Sequence, residues 1–207
     1  MQWLLFVSSI KGQLSMKKKG LSFYKRRRAI QTSAVQEVII HLGVCVLAFV
    51  IGCVLVYYFM TSLTCVGQAM EPTVGSGDQV FVNRFIYSLS APKDGDVVVF
   101  KPNGNVNSHF YMRRVIGTPG DTVEIKEGFI YINGELYETG IGSEQMDFAG
   151  IAQEELKLDK DEFFVLGDNR NASEDSRNAD IGTVRRQDIY GMAWFVRYPW
   201  ENFGWIP

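Results

Sequence analysis

The residues of this chain that could do chemistry are concentrated in three short stretches. They are VGQAMEPTV at 66–74, YMRRVIGTPGD at 111–121 and GDNRNASEDSR at 167–177. The first predicts a tight loop, because Gly67 permits unusual dihedral angles and Pro72 pushes the residue before it towards an extended shape. The third combines carboxylates, guanidinium groups and hydroxyls. Buried Asp/Arg pairs of this kind are more often structural braces than catalysts.

Other kinds of site have weaker support. The three cysteines, Cys45, Cys53 and Cys65, form neither a disulfide framework nor a C-x-x-C metal motif. Two of them lie in an apolar run, where they are expected as small fillers, and Cys65 is expected to be a free thiol at the outer membrane face. His109 with Asp94 or Asp96 could indicate a Ser/His/Asp site, but no spacing supports it and an ordinary polar histidine is favoured. No metal or cofactor is expected.

A long apolar run precedes the first stretch. No Asp, Glu, Lys or Arg occurs from Val38 through Met70. Residues 38–60 would span about 34 Å as a helix at ~1.5 Å per residue, enough to cross a membrane. The aromatic residues at 57–59 are typical of a membrane interface. A cleaved signal peptide is the competing interpretation, but the run is longer than a usual apolar signal core, so a retained anchor is favoured.

Charge is distributed unevenly along the chain. Residues 1–36 contain eight Lys or Arg and no acidic residue, although the whole chain carries a net charge of −2. The basic segment predicts a cytoplasmic N-terminus, a single pass through the plasma membrane and an extracytoplasmic C-terminal domain. The acidic body argues against nucleic acid as a partner and leaves the lipid bilayer as an expected one. The predicted organisation is a basic cytoplasmic segment (1–36), a transmembrane helix (37–61) and the domain (62–207).

The N-terminal segment is expected to be weakly ordered from residue 11 to 36. The ten residues before it, MQWLLFVSSI, form an apolar patch that is too short to span a bilayer. This patch is expected either to lie on the membrane surface or to precede a true start at Met16.

The body is predicted to be mainly β, because short alternating or apolar segments are separated by turn residues. The predicted strands are 78–85, 95–100, 109–116, 121–125, 129–132, 135–137, 162–166 and 189–198. Asn133-Gly134 is the strongest hairpin signal and lies in an insertion at about 126–160. Residues 139–157 are expected to form a loop or a short helix.

The three stretches, in this order and spacing, resemble the bacterial type I signal peptidases, membrane-anchored serine proteases with a Ser/Lys dyad. The resemblance covers roughly residues 36–207 and implies a signal-peptidase-like antiparallel β domain on one N-terminal transmembrane helix. The matching residues are Met70, Pro72, Thr73, Tyr111, Met112, Arg114, Gly117, Pro119, Gly120, Asp121, residues 167–170, Ser173 and residues 175–177.

The residues that carry the family's chemistry are replaced. Ala69 stands where the resemblance places the nucleophilic serine, and it has no heteroatom. Arg113 stands where the resemblance places a lysine that is kept neutral by burial, and a guanidinium cannot accept a proton at physiological pH. Gly67 stands where a Ser or Thr hydroxyl would help to hold the oxyanion.

The resemblance also assigns supporting roles. Ser173 and Asp175 would support the base, while Arg114, Asp168, Arg170 and Arg177 would brace the site as a charge network. Because an arginine replaces the lysine, we expect Arg113 to pair directly with Asp175.

The resemblance implies that the segment before a cleavage site binds as an added strand, with small pockets for Ala-x-Ala side chains. The residues expected to form this substrate groove are Val66, Gln68, Met70, Pro72, Tyr111 and Met112. Gln68 replaces a usual glycine, so the pocket shape is expected to differ.

The favoured function is that of a non-catalytic signal-peptidase relative that binds signal-peptide-bearing pre-proteins or pilin-like subunits as an assembly or processing factor. The alternative is an active signal peptidase that removes signal peptides, with a displaced nucleophile such as Cys65, or an enzyme whose dyad was altered by design. A third interpretation is a purely structural, membrane-tethered β domain. The preserved loop motif beside a groove argues against that third interpretation.

Overall fold

The computed structural model describes residues 22–59, 61–105, 107–138, 140–142 and 144–207. The chain divides after Val54 into two compact units, and each is described separately. Helix α1 (Ser22–Phe59) begins well before the apolar run, within the segment 11–36 that was expected to be weakly ordered. The helical preference of the Arg- and Gln-containing segment continues directly into the apolar run. The apolar patch at 1–10 lies outside the described residues.

Residues 34–57 form the one segment of the described chain that is long and apolar enough to cross a membrane. Their side chains are exposed along the helix, as a lipid-facing helix requires. The first strand of the second unit starts at Thr61, inside the predicted transmembrane range.

The second unit is mainly β, as predicted, and its larger sheet positions the candidate site. The strands of this sheet are β1 (Thr61–Thr64), β2 (Gln79–Asn83), β3 (Val97–Phe100), β4 (Tyr111–Gly117), β9 (Glu162–Leu166), β10 (Val184–Arg185), β11 (Ile189–Tyr198) and β12 (Gly204–Trp205). The order is β1-β2-β11-β3-β4-β9-β10, with β12 on β11. All of the pairings are antiparallel.

A smaller sheet of four strands lies within the predicted insertion and slightly before it. Its order is β7-β6-β5-β8, from β5 (Thr122–Lys126), β6 (Phe129–Ile132), β7 (Glu135–Leu136) and β8 (Leu156–Lys157). Asn133 and Gly134 have φ values of 54° and 84°, the left-handed geometry that a tight two-residue hairpin turn needs. A single turn of 3₁₀ helix, Gly150–Gln153, and β8 occupy the region that was expected to be a loop or short helix.

The apolar residues of the second unit form separate core clusters that fix the two sheets. One cluster joins the first loop to the larger sheet through Cys65, Met70, Val99 and Met112. Another fills the smaller sheet around Val123, and a third lies around Val165. A further short helix, α2 (Ile86–Leu89), follows β2. The candidate site is built on the first cluster.

Candidate active site

A groove of about 690 Å³ lies between the loop that follows β1 and the beginning of β4. Most of the side chains along it are apolar. Its described lining is Leu63, Thr64, Cys65, Val66, Gly67, Gln68, Ala69, Met70, Val99, His109, Phe110, Tyr111, Met112, Arg113, Ala172 and Glu174. The structure therefore brings Gly67, Ala69 and Arg113, the three positions to which the resemblance assigns the family's chemistry, to one surface. Of the residues predicted to form the groove, Pro72 is not part of the lining.

Backbone hydrogen bonds hold the loop at 65–78 in shape. The Cys65 amide donates to the Asp78 carbonyl (2.7 Å), and the Val74 amide donates to the Met70 carbonyl (2.9 Å). The Asn169 amide donates to the Ala69 carbonyl (3.0 Å) and ties the loop to the third sequence stretch. The peptide bond before Pro72 is cis. None of these bonds uses the side chain of residue 69, so the loop keeps its shape without a serine.

The loop packs closely against Gly167, the first residue of the third stretch. A Cβ atom at this position would lie 2.5 Å from the carbonyl oxygen of Ala69 and 2.5 Å from the Cβ of Ser173. Both distances are shorter than real Cβ contacts. Glycine at 167 is therefore what lets the loop of Ala69 approach the end of β9.

Gly67 adopts a backbone conformation that disfavours any other residue. Its φ is +89°, in the left-handed region that L side chains rarely adopt, although the space around it is open. Its amide donates to the Ser76 hydroxyl at 3.3 Å. A Ser or Thr at this position would be strained, so the missing oxyanion helper cannot simply be restored by substitution.

Arg113 is buried and is held by backbone carbonyls. Its Nε donates to the Glu174 carbonyl (2.7 Å) and its Nη1 to the Met112 carbonyl (2.6 Å). Burial lowers the pKa of Arg113, and the nearby Asp175 carboxylate opposes that shift. An arginine remains protonated in proteins even so. The side chain is therefore a fixed cation and not a base.

The expected ion pair between Arg113 and Asp175 is wrong. Asp175 pairs with Arg177, whose Nε and Nη2 donate to the two carboxylate oxygens at 2.8 and 2.9 Å. The Gly167 amide also donates to Asp175 (3.2 Å). Arg177 is two residues away on the same chain segment, so it reaches the carboxylate at little entropic cost. Within the described residues no carboxylate oxygen lies within 4.0 Å of the Arg113 nitrogens.

A second buried ion pair lies beside the first. Arg114 donates from Nε and Nη2 to the two oxygens of Asp168 at 2.8 and 2.7 Å. Its Nη1 donates to the carbonyl oxygens of Gly95 and Pro207. This bidentate geometry is the strongest form of such a pair. The pair joins β4 to the segment after β9, which is the role of a brace.

Two side chains of the third stretch have buried polar atoms that lack hydrogen-bond partners among the described residues. The Ser173 hydroxyl oxygen is buried without a hydrogen bond in the described part of the chain. The same holds for Nε and Nη1 of Arg170, which is 2% exposed and donates only from Nη2, to the Ile141 carbonyl at 3.4 Å. Burial lowers the pKa of Arg170, and Asp168 opposes the shift. Arg170 also accepts a hydrogen bond at its carbonyl from Arg177 Nη2.

Cys65 is the one thiol of the groove lining. It is buried, and burial raises its pKa while the cationic Arg113 acts in the opposite direction. The thiol is therefore protonated at neutral pH, the form that is a poor nucleophile. Among the described residues no group of three or more His, Cys, Asp or Glu side chains could hold a metal ion.

The beginning of β4 offers an unpaired strand edge to the groove. Residues 111–113 pair with β3 on one side, but the pairing of β4 with β9 starts only at Arg114. The resemblance implied that a ligand adds as a strand beside Tyr111 and Met112, but the extent of the open edge could not be predicted, because it depends on where β9 ends. Sequence reasoning missed Glu174, although this residue lies between two motif positions, and it missed the contribution of β1.

Comparisons with known proteins found relatives of this chain. The family model described as signal peptidase, peptidase S26, matches residues 37–198. A signal peptidase I P of Bacillus subtilis subsp. natto is 38% identical over 143 residues, which are 66% of this chain and 75% of that protein. A signal peptidase IB of Staphylococcus aureus is 33% identical over 75% of this chain and 87% of its own length. A solved signal peptidase I from Enterococcus faecalis covers 50% of this chain and 97% of its own, at 29% identity and a TM-score of 0.40.

Proposed function

Because the chain belongs to the signal peptidase family of S26 peptidases, we propose that it is a membrane-anchored member that binds signal-peptide-type segments without cutting them. One observation carries the proposal. Ala69 and Arg113 line the same groove, the resemblance assigns them to the nucleophile and base positions, and neither residue type can perform that role. A methyl group cannot attack a carbonyl, and a guanidinium that stays protonated cannot accept a proton.

Retained binding is supported by the features of the groove that do not depend on the dyad. The wall at 65–70 is shaped by backbone hydrogen bonds, and residues 111–113 leave one side of β4 unpaired. An extended peptide can add to such an edge through its main chain, while apolar pockets select its side chains. The two ion pairs behind the groove, Arg114–Asp168 and Arg177–Asp175, keep this surface rigid.

The partners follow from the family and the anchor. We propose that the ligands are the signal segments of exported pre-proteins, with pilin-like subunits as a narrower candidate group, and that the protein acts as an assembly or processing factor. The candidate membrane helix at 34–57 would attach the protein to the bilayer across which such segments are exported.

An active signal peptidase is the second candidate, and one observation favours it. Cys65 supplies a nucleophilic atom in the same groove as Ala69. Against it, burial raises the pKa of the thiol, and Arg113 provides no base to remove the proton. Replacing Cys65 by Ala separates the two candidates, because only the active enzyme would lose activity.

The test is cleavage and binding of a pre-protein with an Ala-x-Ala site by the full-length protein in detergent. We expect the protein to bind the pre-protein without cleaving it. We expect the double variant Ala69→Ser/Arg113→Lys to cleave it slowly, because Gly67 still lacks the oxyanion hydroxyl and one lost donor costs about 10²–10³-fold in rate.

Each result has one meaning. Cleavage by the unaltered protein that disappears in Cys65→Ala would replace the proposal with the active-enzyme candidate. Binding without cleavage, followed by slow cleavage in the double variant, supports the proposal. Absence of binding in both proteins would show that the groove no longer accepts such segments and would remove the proposal.

A further inference from the structure

We propose that the groove prefers peptides that end in a free carboxylate, and that Arg113 is the group that binds this carboxylate. This inference rests on the proposed function and names the chemical form of its ligand. It would make the protein bind segments that a peptidase has already released more tightly than it binds uncut pre-proteins.

The first observation is the free donor of Arg113. Two of its three guanidinium nitrogens are fixed by the carbonyls of Glu174 and Met112. The remaining nitrogen, Nη2, has no hydrogen bond to any described residue, and the side chain lines the groove. The guanidinium also lies over the Tyr111 ring, with its central carbon 5.3 Å from the ring centroid. A pre-positioned cation therefore presents an unused donor where a ligand would lie.

The second observation is the charge balance behind the groove. The buried residues near the site include four arginines, at 113, 114, 170 and 177, and two aspartates, at 168 and 175. Each aspartate is engaged in a bidentate pair, with Arg114 or with Arg177. Asp78, the other buried carboxylate of the described residues, accepts hydrogen bonds from Asn202 and the Gly75 amide instead. The cluster thus carries an excess of buried positive charge.

Burying an uncompensated cation is costly, and an anion that enters the groove removes part of that cost. The rim offers one carboxylate, that of Glu174, which is exposed and accepts a hydrogen bond from the Tyr111 hydroxyl at 3.4 Å. It lies beyond ion-pair distance of Arg113 and would compete with a bound anion. His109, also exposed on the rim, is the other group of the described lining that can carry positive charge.

The third consideration is the position at which the C-terminus of the bound peptide would lie. A segment added to the free edge of residues 111–113 passes Ala69 and Arg113, the two positions around which a family enzyme would cut. An uncut chain presents a neutral amide there, whereas a released segment presents a carboxylate. A charge-assisted hydrogen bond is roughly twice as strong as a neutral one. A neutral lysine base would not hold this product, but a permanent guanidinium cation would. The reaction that supplies the ligand is endoproteolysis after a small residue.

The experiment uses the full-length protein in detergent. Binding is measured by fluorescence anisotropy with peptides of one signal-type sequence ending in Ala-x-Ala. They are the free acid, its C-terminal amide, an uncut form extended past the final alanine, and an amide in which one residue is replaced by Asp. We expect the free acid to bind at least about tenfold more tightly than the amide or the uncut form.

Two variants test the role of Arg113. In Arg113→Gln the preference for acid over amide should fall to about onefold. In Glu174→Gln, which removes the competing rim carboxylate and keeps an acceptor for Tyr111, binding of the acid should tighten. The second variant changes an exposed residue, and the comparison of peptides on the unaltered protein needs no substitution.

The outcomes separate this inference from the proposed function. If acid, amide and uncut peptides bind equally, the carboxylate preference is wrong while the groove still binds signal-type segments. If the Asp-containing amide binds as tightly as the free acid, Arg113 recognises a side chain and not a chain end, which also overturns the inference. If no peptide binds, the proposed function fails, and this inference fails with it.

Discussion

Ser173 and Ser176 lie three residues apart, yet their hydroxyls have opposite surroundings. The Ser173 oxygen is buried without a partner, whereas Ser176 Oγ accepts a hydrogen bond from the Val165 amide at 3.0 Å. The resemblance to the type I signal peptidases implies that Ser173 supports a lysine. Arg113 does not replace that lysine as a partner, because its guanidinium is held by the Glu174 and Met112 carbonyls. An orphaned hydroxyl is what the loss of a lysine would leave behind.

This difference gives a prediction. Ser173→Ala should change the free energy of unfolding by less than about 0.5 kcal/mol or stabilise the protein, because a buried polar group without a partner is removed. The matched control Ser176→Ala should destabilise it by about 1–3 kcal/mol, because the Val165 amide is left unsatisfied. Urea unfolding of the detergent-solubilised protein measures both. Equal losses in the two variants would mean that Ser173 has a partner after all.

Arg113 also shows where reasoning from residue types fails. The positions of the site residues along the chain could be predicted from motif spacing, but the pairing of Arg113 with Asp175 could not. Several guanidinium groups compete for two carboxylates, and spacing along the chain does not decide which pairs form. Asp175 pairs with Arg177, two residues away, whereas Asp168 pairs with Arg114 on β4 and not with Arg170. Both oxygens of Asp175 are engaged by Arg177, and Arg113 donates to backbone carbonyls instead.

At the scale of elements, the approach of the loop around Ala69 to the end of β9 depends on Gly167. Gly167→Ala should destabilise the protein by about 1–3 kcal/mol through overpacking, because the added methyl would overlap the Ala69 carbonyl and Ser173. Gly204→Ala in β12 is the control, since nothing lies within 4 Å of its added Cβ and its φ is ordinary.

The two glycine variants are compared by thermal or urea unfolding and by peptide binding. We expect Gly167→Ala to lose binding as well as stability, because the loop that forms one groove wall is displaced. A Gly167→Ala protein as stable as the control would show that the loop can move away without cost, and the rigid wall would then be wrong.

The longer strands could be predicted from the sequence, and so could the two-residue strand β7 through its hairpin turn, but the other two-residue strands could not. The predicted strands at 162–166 and 189–198 agree with β9 and β11, and the Asn133-Gly134 turn agrees with the hairpin of β6 and β7. The strands β8, β10 and β12 have two residues each, too few for alternation to be visible. The four-residue strand β1 was not predicted, because it follows an apolar run that dominates the hydrophobic pattern of the sequence there.

At the scale of the whole molecule, the charge asymmetry makes a prediction about topology. Eight basic residues precede the candidate membrane helix at 34–57 and should hold the N-terminus in the cytoplasm. Protease added to cells from which any wall has been removed should digest the domain after residue 61 and spare an N-terminal epitope tag. Digestion of the tag after permeabilisation is the control. A protected domain with an accessible tag would reverse the proposed orientation.

The unpaired edge of β4 has a consequence for solubility as well as for binding. Exposed strand edges are templates on which other chains can pair and aggregate, and proteins protect them by covering or shortening them. Here the open stretch is only residues 111–113 long and lies in a groove opposite the wall at 65–70. We expect a single extended segment to enter that space more readily than the edge of another sheet. The recess proposed to admit a ligand would therefore also keep copies of the protein from joining edge to edge.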